Sequence, residues 1–174
     1  MAVVGLFYGS DTGNTENIAK MIQKQLGNEL VDIRDIAKSS KEDIEGYDFL
    51  LFGIPTWYYG EAQADWDDFF PTLEEIDFTD KLVGIFGCGD QEDYADYFCD
   101  AIGTVRDIVE PRGAIIVGNW STDGYTFEAS KALVDDNTFV GLCIDEDRQP
   151  ELTAERVEKW TKQIYDEMCL AELA

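Results

Sequence analysis

The stretch FYGSDTGNTEN, residues 7–17, surrounds two glycines with hydroxyl, amide and carboxyl side chains and contains no lysine or arginine. The apolar run before it, VVGLFYG (3–9), is typical of a buried parallel strand, and residues 15–26 after it have the apolar spacing of an amphipathic helix. A turn between a strand and a helix presents free backbone N–H groups and the positive end of the helix dipole. The stretch therefore predicts a turn that binds an anion.

The composition of this turn restricts the anion that it can hold. A nucleotide P-loop reads G-x-x-x-x-G-K-[ST] and needs its lysine to neutralise several phosphates, and the turn also lacks the G-x-G-x-x-G of dinucleotide sites. A single terminal phosphate held by neutral donors fits better. The alternative is an ordinary helix N-cap preceded by a polar loop, because Ser and Thr are common cap residues.

Outward from this turn, apolar segments alternate with amphipathic ones. Three further segments are hydrophobic on both faces, namely residues 47–54, 82–88 and 113–119. A weaker segment, residues 28–35, has the alternation of apolar and polar residues that is typical of an edge strand. Strands that alternate with helices form right-handed crossovers and a parallel sheet covered on both sides. We therefore predict a single-domain α/β fold, a doubly wound sheet of five parallel strands with helices on both faces.

Two later segments complete this prediction. The polar segment WSTDGYTFEASKALVDDNTF (120–139) fits no strand–helix unit, and we expect an insertion in or after the fifth strand. Residues 153–170 have helical spacing of apolar side chains, with Thr153 as the predicted N-cap.

The net charge of the chain limits the classes of molecule that it can bind. The net charge is −24, from 37 acidic and 13 basic residues with no histidine. Such a surface repels nucleic acid and anionic membranes and favours basic protein partners. Residues 56–100 hold 13 of the acids and one base, Lys81, which is half of the net charge. Solubility alone is the alternative explanation of this acidity.

Cysteine spacing and hydropathy bear on location and metal binding. The four cysteines form no C-x-x-C pair, so the sequence predicts neither a zinc site nor a disulfide framework, and no metal ligands are assigned. No apolar run approaches the roughly 18 residues of a membrane span. We expect a cytoplasmic protein with no membrane or nucleic-acid partner.

Two more segments follow strands at the edge of the sheet where ligands bind, namely PTWYYGEAQADW (55–66) and GCGDQEDYADYF (87–98). The first of these loops contains Trp57, Tyr58 and Tyr59. Aromatic side chains in such a loop bury poorly unless a flat ligand covers them, although one of these three could fold back into the core. Tyr94 could stack from the side opposite Trp57. With the first turn, these loops predict a ligand with a monophosphate at one end and a planar heterocycle at the other.

The motifs GSDTGNTE, PTWYYGE and GCGDQEDYADYF, in this order and at these separations, resemble those of flavodoxins over essentially the whole chain. The segment 120–139 resembles the insertion of the long-chain bacterial members. The resemblance implies a flavodoxin-like strand order of 2-1-3-4-5 and an FMN that is bound tightly but not covalently.

The resemblance also implies roles for individual residues. The phosphate would be held by Ser10, Asp11, Thr12, Gly13, Asn14 and Thr15. The isoalloxazine ring would lie between Trp57 and Tyr94 in loops that contain Pro55, Thr56, Tyr58, Tyr59 and Gly60. Its pyrimidine edge would face Asp90 and the backbone of Gly87, Cys88 and Gly89, and Asp147 would reach the ribityl chain. Many relatives have a glycine at the position of Tyr58, whose peptide flips on reduction.

By the same resemblance, the protein is a monomeric, low-potential one-electron carrier rather than an enzyme, with no catalytic residues. It would take electrons from an NADPH-dependent flavoprotein reductase and pass them to acceptor enzymes, in transient complexes with basic faces. Nearby carboxylates would make the second electron hard to add. An FMN-dependent reductase enzyme on the same fold is the alternative. A signalling receiver domain fits poorly because Pro55-Thr56-Trp57 stands where such a domain needs an aspartate.

Overall fold

Short strands and amphipathic helices alternate along the chain in the computed structural model, which describes residues 2–10, 12–57 and 59–170. In chain order, the strands are β1 (Val4–Tyr8), β2 (Val31–Asp35), β3 (Phe49–Gly53), β4 (Thr56–Trp57), β5 (Glu61–Ala62), β6 (Leu82–Cys88), β7 (Ile115–Val117), β8 (Trp120–Ser121), β9 (Leu133–Asp135), β10 (Thr138–Phe139) and β11 (Leu142–Ile144). The α-helices are α1 (Asn14–Leu26), α2 (Lys41–Glu45), α3 (Ala64–Leu73), α4 (Asp100–Val109) and α5 (Thr153–Glu167).

The central sheet is parallel throughout, and β2, β1, β3 and β6 lie side by side in that order. β7 and β11 both pair with the free side of β6. If β6 is counted as the fourth predicted strand, and β7 together with β11 as the fifth, the order is 2-1-3-4-5. β2 is the edge strand, as its alternation of apolar and polar residues indicates. Both the α/β class and the strand order are confirmed.

The hydrophobic core lies on both faces of this sheet, because successive strand residues point in opposite directions. Leu6 contributes to one cluster and Phe7 to the other. Helices α1 and α5 cover the first face, with Trp160 buried in its cluster, and α2, α3 and α4 cover the second, with Trp66 buried. This double burial explains why the central strands are apolar at nearly every position.

The fifth position of the sheet is shared by two short strands. β7 pairs with residues 82–84 at the beginning of β6, and β11 pairs with residues 86–88 at its end. The chain between them, residues 118–141, contains an antiparallel sheet in the order β8-β10-β9. The predicted insertion is therefore inside the fifth strand. The returning strand β11 could not be predicted from the sequence, because three residues are too few to show a period.

One boundary prediction is wrong. Thr153 is the first residue of α5 rather than its N-cap, with φ −58° and ψ −50°. The one-turn 3₁₀ helix Pro150–Leu152 leads directly into α5, so the chain is already helical when it reaches Thr153. Its hydroxyl is buried instead of capping the helix.

In the described part of the chain, no helix combines the length and the apolar character needed to cross a membrane.

Candidate functional site

A cleft lies at the edge of the sheet where β1, β3, β6 and β11 end. Its lining comes from four loops, here named the first turn (residues 9–15), the Trp57 loop (54–63), the Tyr94 loop (89–98) and the Asp147 loop (145–149), together with Cys88 at the end of β6. The described lining residues are Ser10, Thr12, Asn14, Thr15, Pro55, Thr56, Trp57, Cys88, Gly89, Asp90, Tyr94, Glu146 and Asp147.

The first turn brings hydroxyl and amide groups to the N-terminus of α1. Gly13 has φ +92°, a left-handed conformation that glycine adopts without strain, and this lets the chain turn into the helix at Asn14. The Ser10 hydroxyl accepts a hydrogen bond from the Gly13 N–H at 3.0 Å. Thr15 donates to the sulfur of Cys88 at 3.7 Å, which joins this turn to the end of β6. The described lining residues include neither lysine nor arginine.

The Trp57 loop is a small hairpin. β4 pairs with β5, so that Trp57 lies opposite Glu61. The Thr56 hydroxyl accepts a hydrogen bond from the Ala101 N–H at 2.9 Å, which ties the hairpin to the beginning of α4. At Gly60, with φ +86°, a Cβ would lie 2.6 Å from an oxygen of Asp100, so the close approach to α4 also requires glycine there.

The Tyr94 loop turns around the carboxylate of Asp90. Its Oδ1 accepts hydrogen bonds from the Glu92 N–H at 2.9 Å, the Asp93 N–H at 3.0 Å and the Arg148 Nε at 3.1 Å. Burial alone would raise the pKa of Asp90, but the hydrogen bonds from Arg148, Asp93 and Glu92 bring it below the usual value. Asp90 therefore lines the cleft as a carboxylate that is already bonded by the protein.

The Asp147 loop is organised by Asp145, which is fully buried at the end of β11. Its Oδ1 accepts from the N–H groups of Asp147 at 3.1 Å and Arg148 at 2.9 Å. Its Oδ2 accepts from the N–H of Gln91 at 3.0 Å and from the Gln91 side chain at 2.9 Å. One carboxylate thus shapes its own loop and holds the Tyr94 loop beside it.

Two side chains at the cleft have raised pKa values. Burial raises the pKa of the Cys88 thiol to about 12, so this cysteine remains a neutral thiol near pH 7. The pKa of Asp147 is raised by burial and then by the negative charges of Asp90 and Asp145. Burial and these neighbouring carboxylates both disfavour negative charge at Asp147, and the positive charge of Arg148 acts in the opposite direction.

The structure brings together most of the residues predicted for the site. Twelve of the predicted residues line the cleft: Ser10, Thr12, Asn14, Thr15, Pro55, Thr56, Trp57, Cys88, Gly89, Asp90, Tyr94 and Asp147. Asp11 and Tyr58 lie outside the described residues, so the structure does not address the peptide that follows Trp57.

Four predicted residues are not among the described lining residues: Gly13, Tyr59, Gly60 and Gly87. Tyr59 is 73% exposed, and its ring meets the edge of Tyr97 with centroids 5.7 Å apart. A Cβ at Gly87 would come within 2.0 Å of the Ile54 carbonyl oxygen, so this glycine allows the backbone after β3 to pack against β6. The reason for glycine there is packing within the sheet.

Sequence reasoning missed three polar residues of the site. Glu146 lines the cleft, and Asp145 and Gln91 lie behind it. The available signal was the run IDED (144–147), in which three acids directly follow an apolar residue. Its meaning depends on the recognition of β11 as a strand of the central sheet, since only then do these acids lie at the ligand-binding edge.

Residues 6–160 match the family model described as Flavodoxin. The chain belongs to the flavodoxin family. This family resemblance was expected from the first turn and the two aromatic loops, and it is confirmed.

Individual flavodoxins match the chain along all or nearly all of its length. A flavodoxin of Haemophilus influenzae is 90% identical over 174 residues, which is 100% of both chains. Flavodoxin 1 of Escherichia coli K12 is 77% identical over 173 residues, covering 99% of this chain and 98% of the relative. Among solved structures, a Fusobacterium nucleatum flavodoxin bound to flavin mononucleotide has a TM-score of 0.90 at 37% identity, covering 96% of this chain and 99% of the other.

Proposed function

We propose that this flavodoxin binds FMN in the cleft and carries single electrons between proteins. The observation that carries the proposal is that Trp57 and Tyr94 line one cleft together with a turn of neutral donors at the N-terminus of α1. The fold neighbour from F. nucleatum is a flavodoxin bound to flavin mononucleotide, which supports the same ligand. Bound FMN would supply the redox chemistry in one-electron steps.

The donor set of the first turn fits a phosphate monoester. Ser10, Thr12, Asn14 and Thr15 offer hydroxyl and amide groups beside the N-terminus of a 13-residue helix. Helix N-termini bind phosphate through backbone N–H groups and the helix dipole, without a basic side chain. We assign these four residues to the phosphate, with Asp11 and Gly13 as the other members of the turn.

The aromatic residues of the cleft fit a planar ring system. Trp57 and Tyr94 supply two aromatic faces, and stacking on such faces excludes water from a flat ligand. The neutral thiol of Cys88 and the backbone of Gly89 line the same cleft at the end of β6. We assign the ring to this space and the ribityl chain to the side of Asp147, with Pro55 and Thr56 supporting Trp57.

Carboxylates around the cleft would make the bound cofactor a strong reductant. Asp90, Glu146 and Asp147 all line the cleft, although Arg148 offsets part of their charge through Asp90. At an effective dielectric constant of about 20, a carboxylate roughly 8 Å from an added negative charge costs about 2 kcal/mol before salt screening. We therefore expect the second electron to be held at a low potential.

An absorption spectrum of the gently purified protein tests the cofactor assignment. Bound FMN should give a yellow protein with flavin absorption bands and quenched flavin fluorescence. The FMN-free chain should take up FMN with a stoichiometry of one. A colourless chain that takes up no FMN would contradict the proposal.

Acidic side chains near the cleft also suggest how partners dock. Helix α3, which follows the Trp57 loop, carries Asp65 and Asp67 in its first turn and Asp68 after them. We infer transient complexes of the monomer with basic faces of a flavoprotein reductase and of acceptor enzymes, because opposite charges steer association.

Stopped-flow electron transfer with such a reductase tests this steering. The rate should fall as ionic strength rises, since salt screens exposed charges. A rate that does not change with salt would exclude electrostatic docking. Steady oxidation of NADPH by the purified protein alone would point to a reductase enzyme and contradict a role as a carrier.

A further inference from the structure

The side chain of Gln91 is buried behind the cleft and joins three segments of the chain. It is 7% exposed and belongs to the Tyr94 loop, but it is not among the described lining residues. Its Nε2 donates to Oδ2 of Asp145 at 2.9 Å and to Oε1 of Gln149 at 2.8 Å. Its Oε1 accepts from the Thr126 N–H, in the insertion, at 2.6 Å. Both hydrogens and the oxygen of this amide are therefore used.

We propose that Gln91 is a positioning residue of the flavin site, which holds the Tyr94 loop in place for stacking by tying it to the insertion and to the Asp147 loop. The inference rests on the proposed function, because the ring that Tyr94 would stack on is the ring of FMN. It assigns a role in ligand binding to a side chain that does not touch the ligand.

Contacts on the other side of Tyr94 support this role. The N–H groups of Glu128 and Ala129, both in the insertion, donate to the carbonyl of Ala95 at 2.9 and 3.0 Å. The Phe98 N–H donates back to the carbonyl of Ala129 at 3.2 Å. Tyr94 thus lies between two anchoring points, Gln91 and Ala95, and the insertion contributes to both.

The hydrogen bonds that the Gln91 side chain makes explain why glutamine suits this position. At neutral pH, a side-chain amide of this length donates to the buried carboxylate of Asp145 and accepts from a backbone N–H of the insertion at the same time, which an ionised glutamate cannot do. Methionine has a similar length and shape but would leave the Thr126 N–H without its acceptor. The backbone bond from the Gln91 N–H to Asp145 at 3.0 Å would remain, so the loop would be loosened rather than unfolded.

A loosened loop lowers the affinity for FMN, because the loop must then become ordered when FMN binds, and this ordering costs free energy. The loss of buried hydrogen bonds of this kind corresponds to about a tenfold change in an equilibrium constant. We therefore expect the dissociation constant for FMN to rise about tenfold in Gln91→Met. The visible circular dichroism of the bound flavin should also change, because it depends on how the aromatic rings are placed around it.

Gln163→Met is a matched control. The Gln163 side chain is a half-buried amide on α5, and its Nε2 donates at 2.8 Å to the carbonyl of Asn119, at the beginning of the chain between β7 and β11. It therefore attaches the insertion to the body of the protein without contacting the Tyr94 loop. Its FMN dissociation constant should stay within about twofold of wild type, with an unchanged flavin spectrum.

Gln91→Glu gives a second readout that a general loss of stability would not produce. This change keeps an acceptor for Thr126 but places a second carboxyl group against Asp145. Two carboxyl groups in contact share a proton as the pH falls, which restores a donor toward Asp145. The FMN affinity of Gln91→Glu should therefore approach that of wild type between about pH 8 and about pH 5.5, relative to Gln163→Met over the same range.

The outcomes separate this inference from the proposed function. A wild-type chain that takes up no FMN would overturn both. A wild-type chain that binds FMN, together with a Gln91→Met variant that binds equally well and has the same flavin dichroism, would overturn the inference alone. If Gln91→Met fails to fold, a pH-independent affinity deficit in Gln91→Glu would overturn it as well.

Discussion

The two loops that carry the aromatic residues of the cleft are held in different ways. The Trp57 loop closes on itself through the β4–β5 hairpin. The Tyr94 loop is bonded to Thr126, Asp145 and Arg148, which lie 35, 54 and 58 positions away from their partners in the sequence. One aromatic face of the site therefore lies on a local hairpin that is joined to α4 through the Thr56 hydroxyl, and the other lies on a loop bonded to three distant positions.

This difference has a consequence for stability and binding. A change in the Trp57 side chain should alter affinity for FMN with little effect on the rest of the fold, since the hairpin pairing and the bond from Ala101 to Thr56 do not involve that side chain. A change in the attachments of the Tyr94 loop should affect binding and folding together, because the same groups hold β11, the insertion and the loop. Three substitutions test this comparison.

Asp145→Ala should have the largest effect. It removes the acceptor of four N–H bonds, two from Gln91 and one each from Asp147 and Arg148, at a fully buried position. Buried donors left without an acceptor are costly, so we expect the free energy of unfolding to fall by about 3 kcal/mol, measured with urea on the FMN-free protein.

Asp135→Ala is the control for this substitution. The Asp135 carboxylate accepts one bond, from the Asn137 N–H at 2.8 Å, and is exposed. It should cost no more than about 0.5 kcal/mol. Hydrogen exchange in Asp145→Ala should accelerate at the Gln91 amide and not at the Ala101 amide, which bonds the Trp57 loop. Equal acceleration at both amides would remove the distinction between the loops.

Trp57→Ala should have the next largest effect, and on binding alone. Loss of one aromatic face costs a stacked ring about 2 kcal/mol, so the dissociation constant for FMN should rise about 30-fold. Tyr59→Ala, in the same loop, should change it by less than about twofold, because the Tyr59 ring is 73% exposed and is not among the described residues that line the cleft. Fluorescence titration measures both.

The free energy of unfolding of the FMN-free protein completes this test. It should differ little between wild type and Trp57→Ala, since the hairpin backbone remains. An unchanged FMN titration in Trp57→Ala would remove this residue from its assigned role. A large loss of stability would instead show that the Trp57 loop is coupled to the fold as strongly as the Tyr94 loop.

Arg148→Gln should have the smallest effect, because the ion pair with Asp90 is partly exposed. The pKa of Asp90 lies below its usual value in the folded protein. Its carboxylate therefore stabilises the fold above the ordinary Asp pKa of about 3.9, and this contribution is lost as the pH falls through the lowered value. Removal of Arg148 should raise the pKa and reduce that contribution by less than about 1 kcal/mol.

Carboxyl NMR titration of Asp90 and urea unfolding at two pH values measure this change. The stability difference from wild type should be present near pH 7 and should vanish in acid, below the lowered pKa. Arg106→Gln breaks the ion pair with Asp107 at 3.0 Å and the bonds to the carbonyls of Lys131 and Leu133, and it should leave the Asp90 titration where it is. A stability difference that persists in acid would show that Arg148 acts through packing rather than charge.

Predictability from sequence follows the same division between local and distant contacts. The first turn and the position of Trp57 could be predicted because each directly follows an apolar run, and the carboxyl ends of parallel strands meet at one edge. The polar segment 120–139 was recognised as an insertion for the converse reason, since it fits no strand–helix period. The role of Tyr59 could not be separated from that of Trp57, because adjacent aromatic residues look alike until the hairpin determines which one faces the cleft.

The sequence by itself determined the layered α/β fold, the neutral donor turn and the concentration of acids in residues 56–100, because each is a property of residue type and period over a short stretch. Only the tertiary structure decided what holds the Tyr94 loop. That depends on where β11 returns to the sheet, which places Asp145 beside Gln91 and the insertion beside Ala95. Hydrogen bonds between residues so far apart leave no period in the sequence, and three residues of strand are too short to show where the chain comes back.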